Sequence, residues 1–172
     1  MEPREGQRQH ISGQFNAELE QVKTAMLEMG GLVQQQVAAA VQALVDVESG
    51  EAEAVCAADD EINQMELAID QACTRILARR QPAAGDLRLV LTVLKAINDL
   101  ERIGDEAVKI ARQAITLSEQ GASPSGYRET RKIAKHVARM LNDALDAFAR
   151  MDVDLAVAVV QEDQSVDREY AD

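Results

Sequence analysis

The sequence predicts an all-α protein, an antiparallel three-helix bundle of long helices followed by a partial second copy of that bundle. Apolar residues recur in steps of three and four over long segments, which is the period of an amphipathic helix. The composition agrees, since 47% of the residues are hydrophobic but only 2% are aromatic. The apolar pattern of the first part also recurs after 104 residues, which indicates a tandem repeat.

A polar leader precedes the first predicted helix. Residues 1–13 contain Pro3, Gly6 and Gly13, so we expect them to be frayed. A first helix is predicted over about 14–47, because its apolar residues follow near-heptad spacing. These residues are Phe15, Leu19, Val22, Met26, Met29, Val33, Val37, Val41 and Leu44.

Two further helices complete the predicted first bundle, which spans 14–119. The second helix, over about 51–80, has a regular apolar seam of Val55, Ala58, Ile62, Met65, Ile69, Ala72 and Ile76. Pro82 and Gly85 separate it from a third helix that begins near Asp86 and ends at about Glu119. Because the connections are only a few residues long, these helices are expected to be antiparallel neighbours.

Polar residues interrupt the predicted seam of the third helix. In steps of three and four it reads Leu87, Val90 or Leu91, Leu94, Asn98, Glu101, Asp105, Val108, Ala111 and Ile115. Glu101 and Asp105 are like charges four residues apart, a pairing that weakens an isolated helix by roughly 0.2–0.5 kcal/mol. We therefore expect something to neutralise them. A solvated charged face is the alternative, because 30 of the 172 residues are acidic.

A second polar stripe runs beside the seam of the second helix and consists of Asp59, Asn63, Glu66 and Asp70. A stripe one residue away from the core seam flanks the neighbouring helix, so its side chains can reach across to that helix. A solvated flank remains equally consistent with this pattern.

Beyond the Gly-, Ser- and Pro-rich stretch 118–127, the chain repeats the pattern of its first part. Shifted by 104 residues, the apolar positions coincide, and Asp59 aligns with Asp163 and Asn63 with Asp167. We expect residues 120–172 to form an incomplete second bundle, with a first helix and the start of a second. Its apolar stripes would then be covered by another chain, unless the polypeptide is a truncated form of a longer protein.

Charge and composition argue against several functions. A net charge of −12 disfavours a nucleic-acid surface, which needs clustered Lys and Arg. No segment is apolar over the ~20 residues that a membrane span requires, and the N-terminus has no apolar signal-peptide core. We expect a cytoplasmic protein without direct membrane insertion, in which Cys56 and Cys73 stay reduced.

The segment RRQPAAGDLRLVLTVLKAINDLERIGDEAVKIA at 79–111 carries a family resemblance, together with DDEINQMELAID at 59–70 and the tandem three-helix pattern. The chain resembles the PhoU family of phosphate-signalling and phosphate-transport accessory proteins, from about residue 8 onward. Members of that family are two three-helix bundles in tandem. Each bundle can hold a metal cluster on paired E(D)xxxD motifs from two facing helices.

The resemblance implies a set of metal-site residues. They are Glu101 and Asp105 on the third helix, Asp59 and Asn63 on the second helix, and Asp163 and Asp167 in the second unit. This chain departs from the family motif at Asn63, which replaces a carboxylate. Oxygen ligands from two packed helices suit a hard cation, so Mg²⁺, Mn²⁺, Ca²⁺ or an iron species are the implied cofactors.

The resemblance also implies a non-catalytic cytosolic regulator of phosphate uptake and phosphate-starvation signalling. Such a protein would be a negative modulator that contacts a phosphate ABC transporter ATPase and a sensor histidine kinase, peripheral at the inner membrane through them and homo-oligomeric, as a dimer. One alternative is a carboxylate-ligated metal enzyme of helical-bundle type, although the Glu-x-x-His motif of that class does not occur in the sequence. The other is a purely structural oligomerisation bundle.

Overall fold

The computed structural model describes the backbone over residues 5–123 and 127–171, and the side chains over 13–123, 127 and 129–163. In these residues the chain forms helices and no strand, which confirms the predicted fold class. The helices are α1 (Glu5–Asp46), α2 (Ser49–Arg80), α3 (Ala84–Glu119), α4 (Arg128–Arg150) and α5 (Val153–Ala171).

Sharp turns separate consecutive helices. Val47, Gln81 and Met151 have φ values of 56°, 48° and 54°, in the left-handed region that ends a helix. Each is a non-glycine residue, so each turn carries a steric cost of roughly 1–2 kcal/mol that packing must offset. The turns reverse the chain direction, and α1, α2 and α3 contact one another as an up-down-up bundle.

Helix α1 begins at Glu5 rather than near residue 14, where the sequence predicted it to start. Residues 1–4 of the predicted frayed leader lie outside the described residues. Gly6 and Gly13 are tolerated inside the helix, since a helical glycine costs only about 1 kcal/mol relative to alanine. Pro3, which would end a helix more effectively, precedes it.

Most buried residues of the bundle follow one alternation of three and four on all three helices, and Gly30, Val45 and Val108 are buried outside it. On α1 they are Leu19, Val22, Met26, Met29, Val33, Gln36, Ala40 and Ala43. On α2 they are Ala52, Val55, Ile62, Ile69, Cys73 and Ile76, with the half-buried Asp59 and Glu66 at the two remaining positions of the same alternation. On α3 they are Val90, Val93, Ile97, Leu100, Gly104, Ala107, Ala111 and Ala114.

The predicted α3 seam was wrong by about one residue. Asn98 and Asp105 are exposed and Glu101 is half-buried, while Leu100 and Gly104 are buried beside them. The predicted stripe and the observed buried stripe both alternate steps of three and four, and the apolar residues of the helix did not distinguish them. The carboxylates of α3 therefore flank its core face instead of interrupting it.

The second unit packs on the first through α4. Helix α4 contacts α1, and among the described residues α5 contacts only α4. Leu141, Leu145 and Phe148 lie against the core of the first bundle. Gly30 permits the approach, because a methyl group built there would lie 2.6 Å from a terminal carbon of Leu145.

Replacing Ile97 with alanine should lower the free energy of unfolding by about 2–5 kcal/mol, because the side chain is 0% exposed and its removal leaves a cavity. Leu91→Ala on the same helix is the matched control, since Leu91 is 44% exposed and should lose much less. Urea unfolding followed by circular dichroism measures both. Equal losses for the two variants would contradict the observed position of the α3 seam.

Candidate acidic site between helices α2 and α3

Four of the predicted site residues come together where α2 faces α3. Asp59 and Asn63 are half-buried on α2, Glu101 is half-buried on α3, and Asp105 is exposed one turn further along α3. The packing of α2 against α3 positions these residues in the middle of both helices. Glu66 of α2 also belongs to this cluster, because its negative charge acts on Glu101.

Asp59 is held from two sides, since each of its carboxylate oxygens accepts a hydrogen bond from an amide. Gln36 Nε2 of α1 donates to Oδ1 at 3.1 Å, and Asn63 Nδ2 donates to Oδ2 at 3.1 Å. A carboxylate in place of Asn63 could not donate this bond. The departure from the family motif therefore gives Asp59 a local donor on its own helix.

Gln36 is a buried polar residue on the core face of α1, with 5% of its surface exposed. Its Nε2 also donates to the backbone oxygen of Val55 at 3.4 Å, but its Oε1 has no hydrogen-bond partner within the described residues. An unpaired buried acceptor costs about 1–3 kcal/mol. Sequence reasoning missed Gln36, because the predicted seam continued from Val33 to Val37; a polar residue three positions after Val33 was the available signal.

Gly104 brings α3 close to Gln36 and Asp59. A methyl group built on Gly104 would lie 3.0 Å from Gln36 Oε1 and 3.5 Å from Asp59 Oδ1. A side chain there would push on a glutamine that is already held by two hydrogen bonds. The absence of a side chain at Gly104 is thus what allows α1, α2 and α3 to meet at this level.

The surroundings of Glu101 disfavour the charged form of its carboxyl group. Burial raises its pKa above the ordinary value of 4.5, and the negative charges of Asp105, Glu66 and Asp59 raise it further. Arg102 opposes this shift. The cluster therefore combines like charges with partial burial, an arrangement that a bound cation relieves.

The donors present are carboxylate and carboxamide oxygens, which are the ligands that hard cations prefer. The unpartnered Oε1 of Gln36 adds a buried acceptor beside the carboxylates. Over the described side chains, no group of three or more histidine, cysteine, aspartate or glutamate residues is placed to hold a metal ion. The chemistry of the residues fits such an ion, and its binding stays a prediction.

The predicted residues of the second unit are apart from this cluster. Asp163 is exposed on α5, and the side chain of Asp167 lies outside the described residues. Beside Asp163, Glu162 accepts hydrogen bonds from His136 and Arg139 of α4, and these bonds lower its pKa. The structure thus brings together the site residues of the first bundle only.

The fold and the motif both match known proteins. Residues 26–114 and 130–172 match the PhoU domain. The chain belongs to the PhoU domain family. It is 61% identical over 161 residues to the phosphate-specific transport system accessory protein PhoU homolog of Pseudomonas aeruginosa, covering 94% of this chain and 66% of that protein. It is 50% identical over 161 residues to the PhoU accessory protein of Escherichia coli, again covering 94% and 66%.

Solved PhoU structures share the fold. A crystal structure of PhoU from P. aeruginosa superposes with a TM-score of 0.87 at 60% identity, over 91% of this chain and 75% of that one. PhoU from Streptococcus pneumoniae, described as a phosphate transport system regulatory protein, gives 0.83 at 31% identity, over 91% and 73%. The chain spans 66% and 63% of the lengths of its relatives from P. aeruginosa and Pseudomonas putida.

Among the described residues, no helix has the long apolar run that crossing a bilayer requires.

In metal-free protein, Glu101→Gln should raise the free energy of unfolding at pH 7. A raised pKa means that folding favours the protonated carboxyl, so its stabilising effect is complete below the unfolded pKa, near 4.5, and is lost as pH rises through the folded pKa. The amide of the variant is uncharged at every pH, so the side chain always has the neutral state that folding favours. The advantage of the variant should therefore shrink as pH falls through the raised pKa of folded Glu101, and be lost below about 4.5.

Thermal or urea unfolding between pH 3.5 and 8, in the presence of a chelator, measures this difference. Glu106→Gln is the matched control on the outer face of α3, where Glu106 pairs with Lys109 at 2.7 Å. Losing an exposed pair costs roughly 0.2–1 kcal/mol, so this control should be slightly destabilised at pH 7. A Glu101→Gln protein that is less stable than wild type at pH 7 would contradict the assigned charge repulsion.

Proposed function

We propose that this chain is a non-catalytic regulator of phosphate uptake and phosphate-starvation signalling. The observation that supports it is the 61% identity to an accessory protein of a phosphate-specific transport system, over 94% of the chain. The 0.87 TM-score to PhoU of P. aeruginosa supports the same assignment at the level of fold. Proteins with this name are accessory components, which accords with regulation through contacts rather than through catalysis.

The proposed partners are the ATPase of a phosphate ABC transporter and a sensor histidine kinase, both taken from the family resemblance. The protein would hold the kinase in its repressing state when phosphate is plentiful, and so act as a negative regulator. Long helices with a net charge of −12 offer an extended acidic surface for basic patches on such partners. We place this activity in the cytoplasm, peripheral to the inner membrane, with the protein as a homo-oligomer, in the simplest case a dimer.

A divalent or iron cation is proposed to bind the acidic site of the first bundle. Asp59 and one of the two α3 carboxylates, Glu101 or Asp105, would hold it, with Asn63 supporting Asp59. Mg²⁺ and similar ions commonly take one or two carboxylates and retain several waters, so a site with few protein ligands suits them. The ion would supply a positive charge beside the like charges that raise the pKa of Glu101.

Deleting the gene should abolish repression of phosphate-starvation genes at high phosphate, because the kinase loses its negative regulator. A reporter for those genes, assayed at high and low phosphate, measures the effect, and complementation with the wild-type gene is the control. In a pull-down, the tagged chain should retain the transporter ATPase and the cytoplasmic part of the kinase. Unchanged repression in the deletion strain would exclude the regulatory role.

Metal analysis tests the proposed ion separately. Purified wild-type protein should bind Mn²⁺, and the double variant Glu101→Ala, Asp105→Ala should lose this binding, because it removes both α3 carboxylates. Glu106→Ala, also on α3 but paired with Lys109, should bind as wild type does. Isothermal titration calorimetry gives stoichiometry and affinity. Absence of binding by the wild-type protein would favour the reading of the cluster as a purely structural, solvated face.

A further inference from the structure

The orientation of the Gln36 carboxamide is dictated by its neighbours on α2. Its Nε2 lies 3.1 Å from Asp59 Oδ1 and 3.4 Å from the Val55 carbonyl oxygen. Both neighbours are acceptors, so the amide nitrogen must face them and a flipped carboxamide would place oxygen against oxygen. The consequence is that Oε1 is turned to the other side, where it is buried without a partner.

Such a residue is unfavourable as a core residue. The alternation of three and four on α1 places Gln36 between Val33 and Ala40, where an apolar side chain would fill the position and leave no unpaired acceptor. In natural proteins, buried polar residues at positions that suit an apolar side chain are concentrated at functional sites. What Gln36 does is to hydrogen-bond to a carboxylate of the acidic site from inside the bundle.

The contact restrains the direction in which Asp59 presents its charge. With Gln36 bound to Oδ1 and Asn63 bound to Oδ2, rotation of the carboxylate would break at least one of these bonds. Asn63 belongs to α2 itself, whereas Gln36 is anchored on another helix. Gly104 is required for this arrangement, since a methyl group there would lie 3.0 Å from Gln36 Oε1.

We propose that Gln36 is the positioning residue of the acidic site, which holds Asp59 in the orientation that binds a cation between α2 and α3. This inference rests on the cation binding proposed above. Gln36 lies outside the E(D)xxxD motifs, on a helix that contributes no carboxylate to the site. The site is therefore built by three helices, with its ligands on two of them and their orientation controlled by the third.

Gln36→Met removes the amide with little change in volume and should weaken Mn²⁺ binding by about 10–100-fold, the usual loss when a partner that orients a metal ligand is removed. Gln35→Met is the matched control, because Gln35 is the exposed neighbour on the same helix. Isothermal titration of full-length protein with Mn²⁺ measures both, and circular dichroism verifies that both are folded. The control should bind as tightly as wild type.

The outcomes distinguish this inference from the function on which it rests. If wild type and Gln36→Met bind Mn²⁺ equally, the positioning role is overturned and the cation site stands. If wild type does not bind Mn²⁺, both are overturned. If Gln36→Met does not fold, Gln36→Glu decides, because its carboxylate repels Asp59 instead of donating to it.

For Gln36→Glu, the rise in melting temperature from chelator to a fixed concentration of Mn²⁺ should be smaller than for wild type, because Asp59 is no longer held in the binding orientation and the ion is bound more weakly. A purely structural role for Gln36 would lower the melting temperature equally under both conditions. That result would overturn the proposal.

Discussion

The hydrogen bond from Gln36 to Asp59 divides the interior of the three-helix bundle into two parts. On one side the fully buried residues end at Val33, Ile62 and Leu100, and belong to a cluster of large aliphatic side chains. On the other side the buried cluster begins at Ala40, Val55 and Ala107 and consists almost entirely of alanine. Between the two parts lies a polar layer, which consists of Gln36 on α1, Asp59 on α2 and the space left by Gly104 on α3.

This polar layer depends on all three helices at once. Asp59 stands at a position on α2 where the alternation of threes and fours places buried residues, so without a donor it would be a poorly compensated charge beside the core. Gln36 supplies the donor, and Gly104 leaves the space for it. Any shift of one helix along another would separate these three residues, so the layer specifies the register of the bundle, as buried polar groups do in coiled coils.

The same layer determines where negative charge accumulates. Burial and the negative charges of Asp105, Glu66 and the half-buried Asp59 together raise the pKa of Glu101. Arg102 opposes this repulsion but does not reverse the shift. A cation bound as proposed would offset this repulsion, so its binding and the stability of the bundle would be linked.

The second unit shows how tertiary packing redirects an apolar stripe. The sequence pattern predicted that Val37 and Val41 belong to the same buried seam as Val33. In the structure these two side chains are only partly buried, and they line a cleft between α1 and α4 that has Ala134 and Ala138 on its opposite wall. Helix α1 therefore presents two apolar faces, one to α2 and α3 and one to α4. A single heptad pattern along α1 does not separate these two faces, because residues 36 and 37 differ by only 100° around the helix.

The sequence by itself determined the helical class, the approximate extents of α2 and α3, the tandem repeat and the family, since these depend on periodicity, breaking residues and a long motif. It also identified Asp59, Asn63, Glu101 and Asp105 as one candidate site. The tertiary structure decided which of two adjacent stripes on α3 faces the core, because both stripes alternate threes and fours and only the packing of three helices distinguishes them. It alone revealed Gln36, whose role depends on a contact with a residue that lies on another helix.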